Sequence, residues 1–372
     1  MKILVIVPYF EEPHRWMISG QKTAHELSKD HQVVVVTTGK AAAVEKRSPS
    51  LRIYRLKDWF LKDPINYSVI PNLGRRLKAI IAAEKPDAFL INKHMFYSSL
   101  AIWPLKRWGK KVIVQTDTFP GINWFPKSKL VELVMRVYAR VIGNPILRSA
   151  DTVVLLHEGL IPVAQKLKLD HRVIHNGIEL DKFDAAPKPT DLPKGKKEIW
   201  IGYVGRLESV KGWYDLAAVA LRMVKKNRQL HFYFIGPTKN AEEKIKEFAH
   251  PQIHFIGLRN DVAGLDKLVD IFVMPSLSEG LSNAIMEAMA AGCACAVSRV
   301  GGNMVLVQDK VNGRLFESGN SRELEKVLTE LADSPTERRR LGQAARQTIE
   351  NDYSLTKNVA KLAKLLAGTN GR

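Results

Sequence analysis

Short, continuous apolar runs recur along the chain, each followed by a loop and a segment long enough for a helix. Residues 2–7 (KILVIV), 32–37 (QVVVVT), 88–92 (AFLIN), 112–115 (VIVQ) and 151–156 (DTVVLL) form one series. A second series starts at 200–204 (WIGYV) and runs through 231–235 (HFYFI), 254–256, 270–274 (DIFVM) and 294–298 (ACAVS). A strand that is apolar at every position is buried on both faces, and that requires a parallel sheet covered by helices. The class is therefore α/β and doubly wound. Residues 51–56 and 172–177 add two more strands to the first series, for six to seven in all. Helices are expected over 21–29, 72–84, 97–108 and 128–147 in the first half, and over 322–332, 335–350 and 355–366 near the end.

The two series are separated by residues 184–197 (DAAPKPTDLPKGKK), rich in Pro, Lys and Gly and without periodicity. Such a stretch reads as a linker, and 372 residues suffice for two domains. We expect a Rossmann-like domain at 1–185, a linker at 186–197, a second Rossmann-like domain at 198–350, and a terminal segment 351–372 whose helix packs back on the first domain.

Several classes are excluded by composition and pattern. The run at 3–7 is ended by Pro8 and a polar loop, so no signal peptide is expected. No stretch approaches the ~20 apolar residues of a membrane span. Cys293 and Cys295 lie two apart in a buried strand, where side chains share a face and do not bridge; they read as small core residues in a reducing compartment. The loop 8–20 carries a single Gly20 before the first helix, far from a dinucleotide fingerprint, and NAD binding is rejected.

The net charge of +19 is uneven. Residues 51–150 carry 18 Lys/Arg against 6 Asp/Glu, a surplus of +12. A field concentrated there implies an anionic partner. Trp59, Trp103, Trp108 and Trp124 fall in the same stretch, beside Lys106, Arg107, Lys110, Lys111 and Lys127. Trp and cations together suit a membrane interface; core Trp with a solvated basic face is the competing reading.

Two motifs carry chemistry. Residues 275–292 (PSLSEGLSNAIMEAMAAG) follow the strand 270–274 and read as loop, then helix from about Ser282, then stop at Gly292. Strand end, small-residue loop and helix N-terminus together form an anion site. Glu279 and Glu287 flank it, and Glu287 lies in an otherwise small and apolar helix, where a carboxylate needs a partner such as a ribose hydroxyl. The second motif is Gly205-Arg206-Leu207 with Lys211-Gly212, after the strand 200–204. Arg206 and Lys211 can aim two cations at a departing diphosphate; alone, the motif reads equally as a glycine turn with solvated cations.

Taken together, GRLESVKG at 205–212, SEGLSNAIMEAMAAG at 278–292 with its E-x7-E spacing, Val311-Asn312-Gly313 after Gly301-Gly302, and HNGIELDKF at 175–183 resemble glycosyltransferase family 4, retaining enzymes of the GT-B fold. The resemblance implies two Rossmann-like domains facing across a cleft. It implies a UDP- or GDP-sugar donor and no metal, in keeping with the absence of an Asp-x-Asp motif. Arg206 and Lys211 would hold the diphosphate, and Glu279 the sugar hydroxyls. The backbone at Gly280, Leu281, Ser282 and Asn283 would touch sugar and phosphate, Glu287 the ribose, and Gly205, Gly236, Leu258 and Arg259 the remaining nucleotide. Front-face attack, with a donor phosphate oxygen taking the acceptor proton, needs no protein nucleophile.

The first half departs from the family pattern. Ser19-Gly20 stands where many relatives have Gly-Gly, Asp117 where many have a catalytic His, and His175 where a Pro is usual. Gly20, His94 and Asp117 are the acceptor-side candidates, with His94 taking the missing role or Asp117 contacting the acceptor. The expected enzyme is thus a glycosyltransferase acting on an anionic or lipid-linked acceptor, cytoplasmic and peripheral on the membrane through 51–150. A nucleotide-sugar 2-epimerase or a phosphorylase-type GT-B enzyme is the rival within the fold. A nucleic-acid-binding protein is the rival outside it, and no recognition motif supports that role.

Overall fold

The computed structural model describes residues 1–11, 18–61, 67–117, 119, 129–239 and 241–368. The chain divides into two compact units, residues 1–176 with 355–372, and residues 177–354.

The first unit holds β1 (Lys2–Ile6), β2 (Gln32–Gly39), β3 (Ala43–Ser48), β4 (Leu51–Lys57), β5 (Trp59–Leu61), β6 (Tyr67–Val69), β7 (Ala88–Asn92), β8 (Val112–Thr116), β9 (Thr152–Leu155) and β10 (His171–Val173). Eight of them form one sheet in the order β10-β9-β8-β7-β1-β2-β4-β3, while β5 and β6 form a separate hairpin. All neighbours are parallel except β3 against β4. The eighth strand, β3, is absent from the sequence reading because its residues AVEKRS form no apolar run; they lie exposed or half-buried at the sheet edge.

Alternate residues of the same strands feed two cores. Leu4, Ile6, Val34, Val36, Phe89 and Ile91 face one side. Ile3, Val5, Val33, Val35, Ala88 and Leu90 face the other. That is the physical origin of the unbroken apolar runs. The second core also contains Leu355, Val359, Leu362 and Leu366 of the last helix, Leu355–Gly368, beside Ala24 and Leu27 of the helix Ile18–Asp30.

The single helix expected over 128–147 is interrupted. It runs as Lys129–Tyr138, a π-helical turn Ala139–Gly143, and a short helix Asn144–Ser149. Pro145 lies in the first turn of that last piece. It cannot donate the bond that would continue the helix, which accounts for the break.

The second unit holds β11 (Ile199–Val204), β12 (Leu230–Ile235), β13 (Ile253–Gly257), β14 (Ile271–Met274), β15 (Ala294–Ser298) and β16 (Arg314–Phe316). They form one parallel sheet in the order β13-β12-β11-β14-β15-β16. The chain winds outward from β11 to β13, then returns to the other side of β11 at β14. In doubly wound sheets such a reversal is where ligands bind, beyond the strands' carboxyl ends. In the first sheet the reversal lies between β1 and β7.

The terminal helix is tested by Leu362, 1% exposed. Leu362→Ala should lower the stability of the first unit by about 2–4 kcal/mol. Lys364→Ala, on the exposed face of the same helix, should change it by less than about 0.5 kcal/mol. Denaturant unfolding followed by fluorescence measures both.

Candidate active site

In the second unit, the loops leaving β11 and β14 meet backbone to backbone. Gly212 has φ of 67°, and a Cβ there would lie 2.1 Å from the Pro275 carbonyl oxygen. The Leu277 N–H donates to the Val210 carbonyl at 2.8 Å. A Cβ on Gly302 would lie 2.2 Å from the Gly280 carbonyl oxygen, so the turn after β15 closes on the same loop from the other side. Beneath it, the buried Ser298 hydroxyl donates to the Ser276 carbonyl at 2.6 Å, and Asn303 Nδ2 donates to the Ser298 carbonyl at 3.0 Å. Residues 205–212 and 275–282 are thus one assembly, although some 70 positions separate them in the chain.

The loop after β14 ends in the helix Asn283–Ala290. Ser282 is its N-cap: its hydroxyl accepts from the Ile285 N–H at 3.5 Å. The helix ends in a Schellman motif, with Cys293 N–H on the Ala288 carbonyl and Gly292 N–H on the Met289 carbonyl, both at 3.0 Å, and Gly292 at φ of 79°. First-turn N–H groups have no intrahelical acceptor, so this end carries the donors and partial positive charge that suit an anion.

Two of the candidate side chains are joined directly. Lys211 Nζ lies 2.6 Å from Glu279 Oε2, with the side chains 19% and 10% exposed. Arg206 is more open and pairs with Glu208 at 2.8 Å. Tyr203 sits behind this turn; its hydroxyl donates to the Arg206 carbonyl at 2.8 Å. Gly205 and Gly236 are in contact, since a Cβ on Gly236 would lie 2.0 Å from the Gly205 carbonyl oxygen. Leu258, just beyond β13, stands 75% exposed. Arg259 is engaged by two carboxylates, Asp191 at 2.6 Å and Asp261 at 2.7 Å. Glu287 is half-buried on the helix, while Gly280 and Asn283 are exposed and Leu281 is half-buried.

Sequence reasoning missed Asp266. It is 1% exposed at the end of the helix Val262–Asp266, and neither carboxyl oxygen has a hydrogen-bond partner. Burial, with the Glu287 charge adding to it, pushes its pKa well above the usual carboxylate value. No motif marks it; burial of both oxygens is a tertiary property.

In the first unit, four residues following consecutive strands form a polar row: Lys93 after β7, Asp117 after β8, His157 after β9 and His175 after β10. Lys93 pairs with Asp117 and takes a left-handed backbone, φ 71°. His175 Nε2 lies 2.8 Å from Glu158 Oε1. Burial lowers the His157 pKa against the opposing charges of Asp117 and Glu158. Lys93 and the adjacent His157 and Glu158 were not legible as a set, because more than 60 positions separate them in the chain.

His94 sits below this row. It is 1% exposed, its Nδ1 is 2.7 Å from Thr116 Oγ1, and its Nε2 is buried without a partner. Burial lowers its pKa to about 3, only partly opposed by Asp117. It is a neutral imidazole in the core rather than a group at the surface of the sheet's edge. Gly20 lies within the helix Ile18–Asp30, where a Cβ would meet Val7 Cγ1 at 2.9 Å and Asn92 Oδ1 at 3.0 Å; its bareness brings the helix against the ends of β1 and β7. Residues 12–17 of the loop 8–20, together with Trp124 and Lys127, lie outside the described residues.

With this geometry in hand, comparison with known proteins is direct. Residues 21–182 match Glycosyltransferase Family 4, and residues 185–348 match Glycosyl transferases group 1. An uncharacterised glycosyltransferase of Haemophilus influenzae is 30% identical over 79% of this chain and 80% of its own length. The UDP-Gal:alpha-D-GlcNAc-diphosphoundecaprenol alpha-1,3-galactosyltransferase of Escherichia coli is 28% identical over 52% of this chain, which spans about half (53%) of that relative. Among solved structures, the Anabaena protein HepE in complex with UDP superposes with a TM-score of 0.75 over 99% of this chain and 100% of its own, at 16% identity. The fold is GT-B and the protein is a glycosyltransferase. The chain belongs to the family-4 type of these enzymes.

Two buried groups predict opposite pH effects. His94, neutral in the fold and protonated near pH 6.5 when free, favours the unfolded chain as pH falls. Stability should be full above about pH 6.5 and decline toward pH 3, and His94→Gln should flatten that acid limb. Asp266, protonated in the fold, acts the other way. Its contribution is full below its free value of 3.8 and is lost as pH rises toward its folded pKa, so Asp266→Asn should raise the melting temperature more at pH 8 than at pH 4. Thermal melts across pH 4–8 measure both.

Proposed function

We propose that the protein transfers a sugar, with retention of configuration and without a metal ion, from a nucleotide-diphosphate sugar to a hydroxyl of a lipid-linked acceptor. The observation that carries this reading is the Lys211–Glu279 pair, held at the reversal of the second sheet beside the N-terminus of the helix Asn283–Ala290.

The pair divides the donor between its partners. An incoming diphosphate competes with Glu279 for Lys211 and draws on Arg206, so cations meet the charge that grows as the C1–O bond breaks. Glu279, released from Lys211, accepts from sugar hydroxyls. The helix N-terminus, at Gly280 to Asn283, adds backbone donors to the phosphates, and Glu287 accepts from the ribose. Leu258 offers an apolar surface for the base near Gly236, with Arg259 fixed alongside by Asp191 and Asp261. The acceptor oxygen bonds to C1 as the nucleoside diphosphate leaves, and its proton passes to a phosphate oxygen of that leaving group. No protein nucleophile enters the balance.

On the acceptor side the reading favours Asp117 over His94, since Asp117 stands 27% exposed beside Lys93 and His94 is enclosed. HepE bound to UDP supports a uridine donor, and the diphosphoundecaprenol substrate in the name of the Escherichia coli relative supports a lipid-linked acceptor. Such an acceptor calls for peripheral attachment at the cytoplasmic face of a membrane, through the basic region 51–150. Among the described residues no helix is long and apolar enough to cross a membrane.

Arg206→Ala and Glu279→Ala should each lower transfer by about 10²-fold or more, with the unliganded protein still folded by circular dichroism. Full activity in either variant removes the site assignment. A thermal-shift screen of nucleotide sugars identifies the donor, because saturation at a hundred times Kd adds about 2.7 kcal/mol to stability.

A further inference from the structure

We infer that the helix Lys129–Tyr138 and the π-helical turn after it form an anionic-bilayer docking element, with an apolar stripe that enters the headgroup region and a row of cations beside it. This deepens the membrane contact proposed above and rests on it.

The stripe consists of Leu130, Leu133, Val134, Val137 and Val141, exposed by 70%, 59%, 56%, 54% and 64%. Their spacing of i, i+3, i+4, i+7 and i+11 puts all five on one helical face. A face of this kind normally covers a core, yet no residue of Lys129–Tyr138 is buried.

Charge complementarity selects the occupant. Lys129, Arg136 and Arg140 repeat the spacing of Leu130, Val137 and Val141 shifted by one residue, so the three exposed cations run along one flank of the stripe. Glu132, the sole acidic residue of the helix, is already held by Arg136 at 2.6 Å. An apolar face flanked by cations is the signature of a helix lying in a bilayer interface, and each cation near an anionic surface adds attraction.

A second element joins the same surface. Tyr138, at the end of the helix, shares a 2.6 Å hydroxyl contact with Tyr67 of β6. Tyr67 stands opposite Leu61 of β5 in the hairpin, and β5 carries Trp59 two residues before. Trp59 and Leu61 are 66% and 45% exposed. An exposed Trp beside an apolar helix suits the depth at which indole rings settle. By contrast, Trp108 packs against the core of the first unit. The docking surface therefore centres on the helix Lys129–Tyr138.

The test is co-sedimentation of the full chain with phosphatidylcholine vesicles and with vesicles containing phosphatidylglycerol. The wild type should bind the anionic vesicles, more weakly as salt is raised. Leu133→Asp with Val137→Asp should reduce partitioning at least tenfold, and Lys129→Glu with Arg140→Glu should remove the preference for anionic lipid. All these side chains are exposed, so circular dichroism and melting temperature should not change. Unchanged vesicle binding in the apolar pair overturns the proposal. So does a dimer in the wild type that the apolar pair converts to monomer, since the stripe then covers a second copy. Nucleotide-sugar thermal shifts on the same samples report the donor site separately: a wild type that ignores vesicles but is stabilised by donor loses the docking surface and keeps the enzyme.

Discussion

The second unit depends on bringing two backbone segments closer than side chains permit. At the reversal of the second sheet, the loop from β11 and the loop from β14 touch through Gly212 and the Pro275 carbonyl, and the turn at Gly302 closes on Gly280. A methyl group at either glycine would force the loops apart. Their contact is what places Lys211 against Glu279. The ion pair is thus a consequence of backbone proximity, and the helix N-terminus beside it is fixed by the same loop through the Ser282 cap.

The pair also settles two charges that the same contact encloses. Largely enclosed charges are costly unless matched. Lys211 and Glu279 match each other, while Arg206, more exposed, rests on Glu208. The first unit stores its charges in a comparable way, as Lys93 with Asp117 and His175 with Glu158 along the ends of four adjacent strands.

Burial sets the state of several side chains. His94 carries the side chain expected of a catalytic base, yet it is enclosed beyond the central strands β7 and β8 with a pKa pushed down to about 3. Asp266 carries an ordinary acid and becomes a neutral core group near Glu287. The helix Lys129–Tyr138 reads as basic, and its distinguishing property is an uncovered apolar stripe. In each case the residue type was visible and its environment was not.

The sequence by itself determined the parallel α/β class, because strands buried on both faces must be apolar at every position, as β1, β2, β7 and β14 are. It also marked the loops at 205–212 and 275–282, because glycines, cations and a helix start are local features at fixed spacing. Only the tertiary structure decided which pieces meet. The edge strand β3 forms by pairing with β4 and needs no apolar run of its own. The Lys211–Glu279 pair joins positions 68 apart, and the row of Lys93, Asp117, His157 and His175 exists because four strands lie side by side. Chemistry of a residue is written in the chain; burial and proximity are set by the order in which the strands assemble.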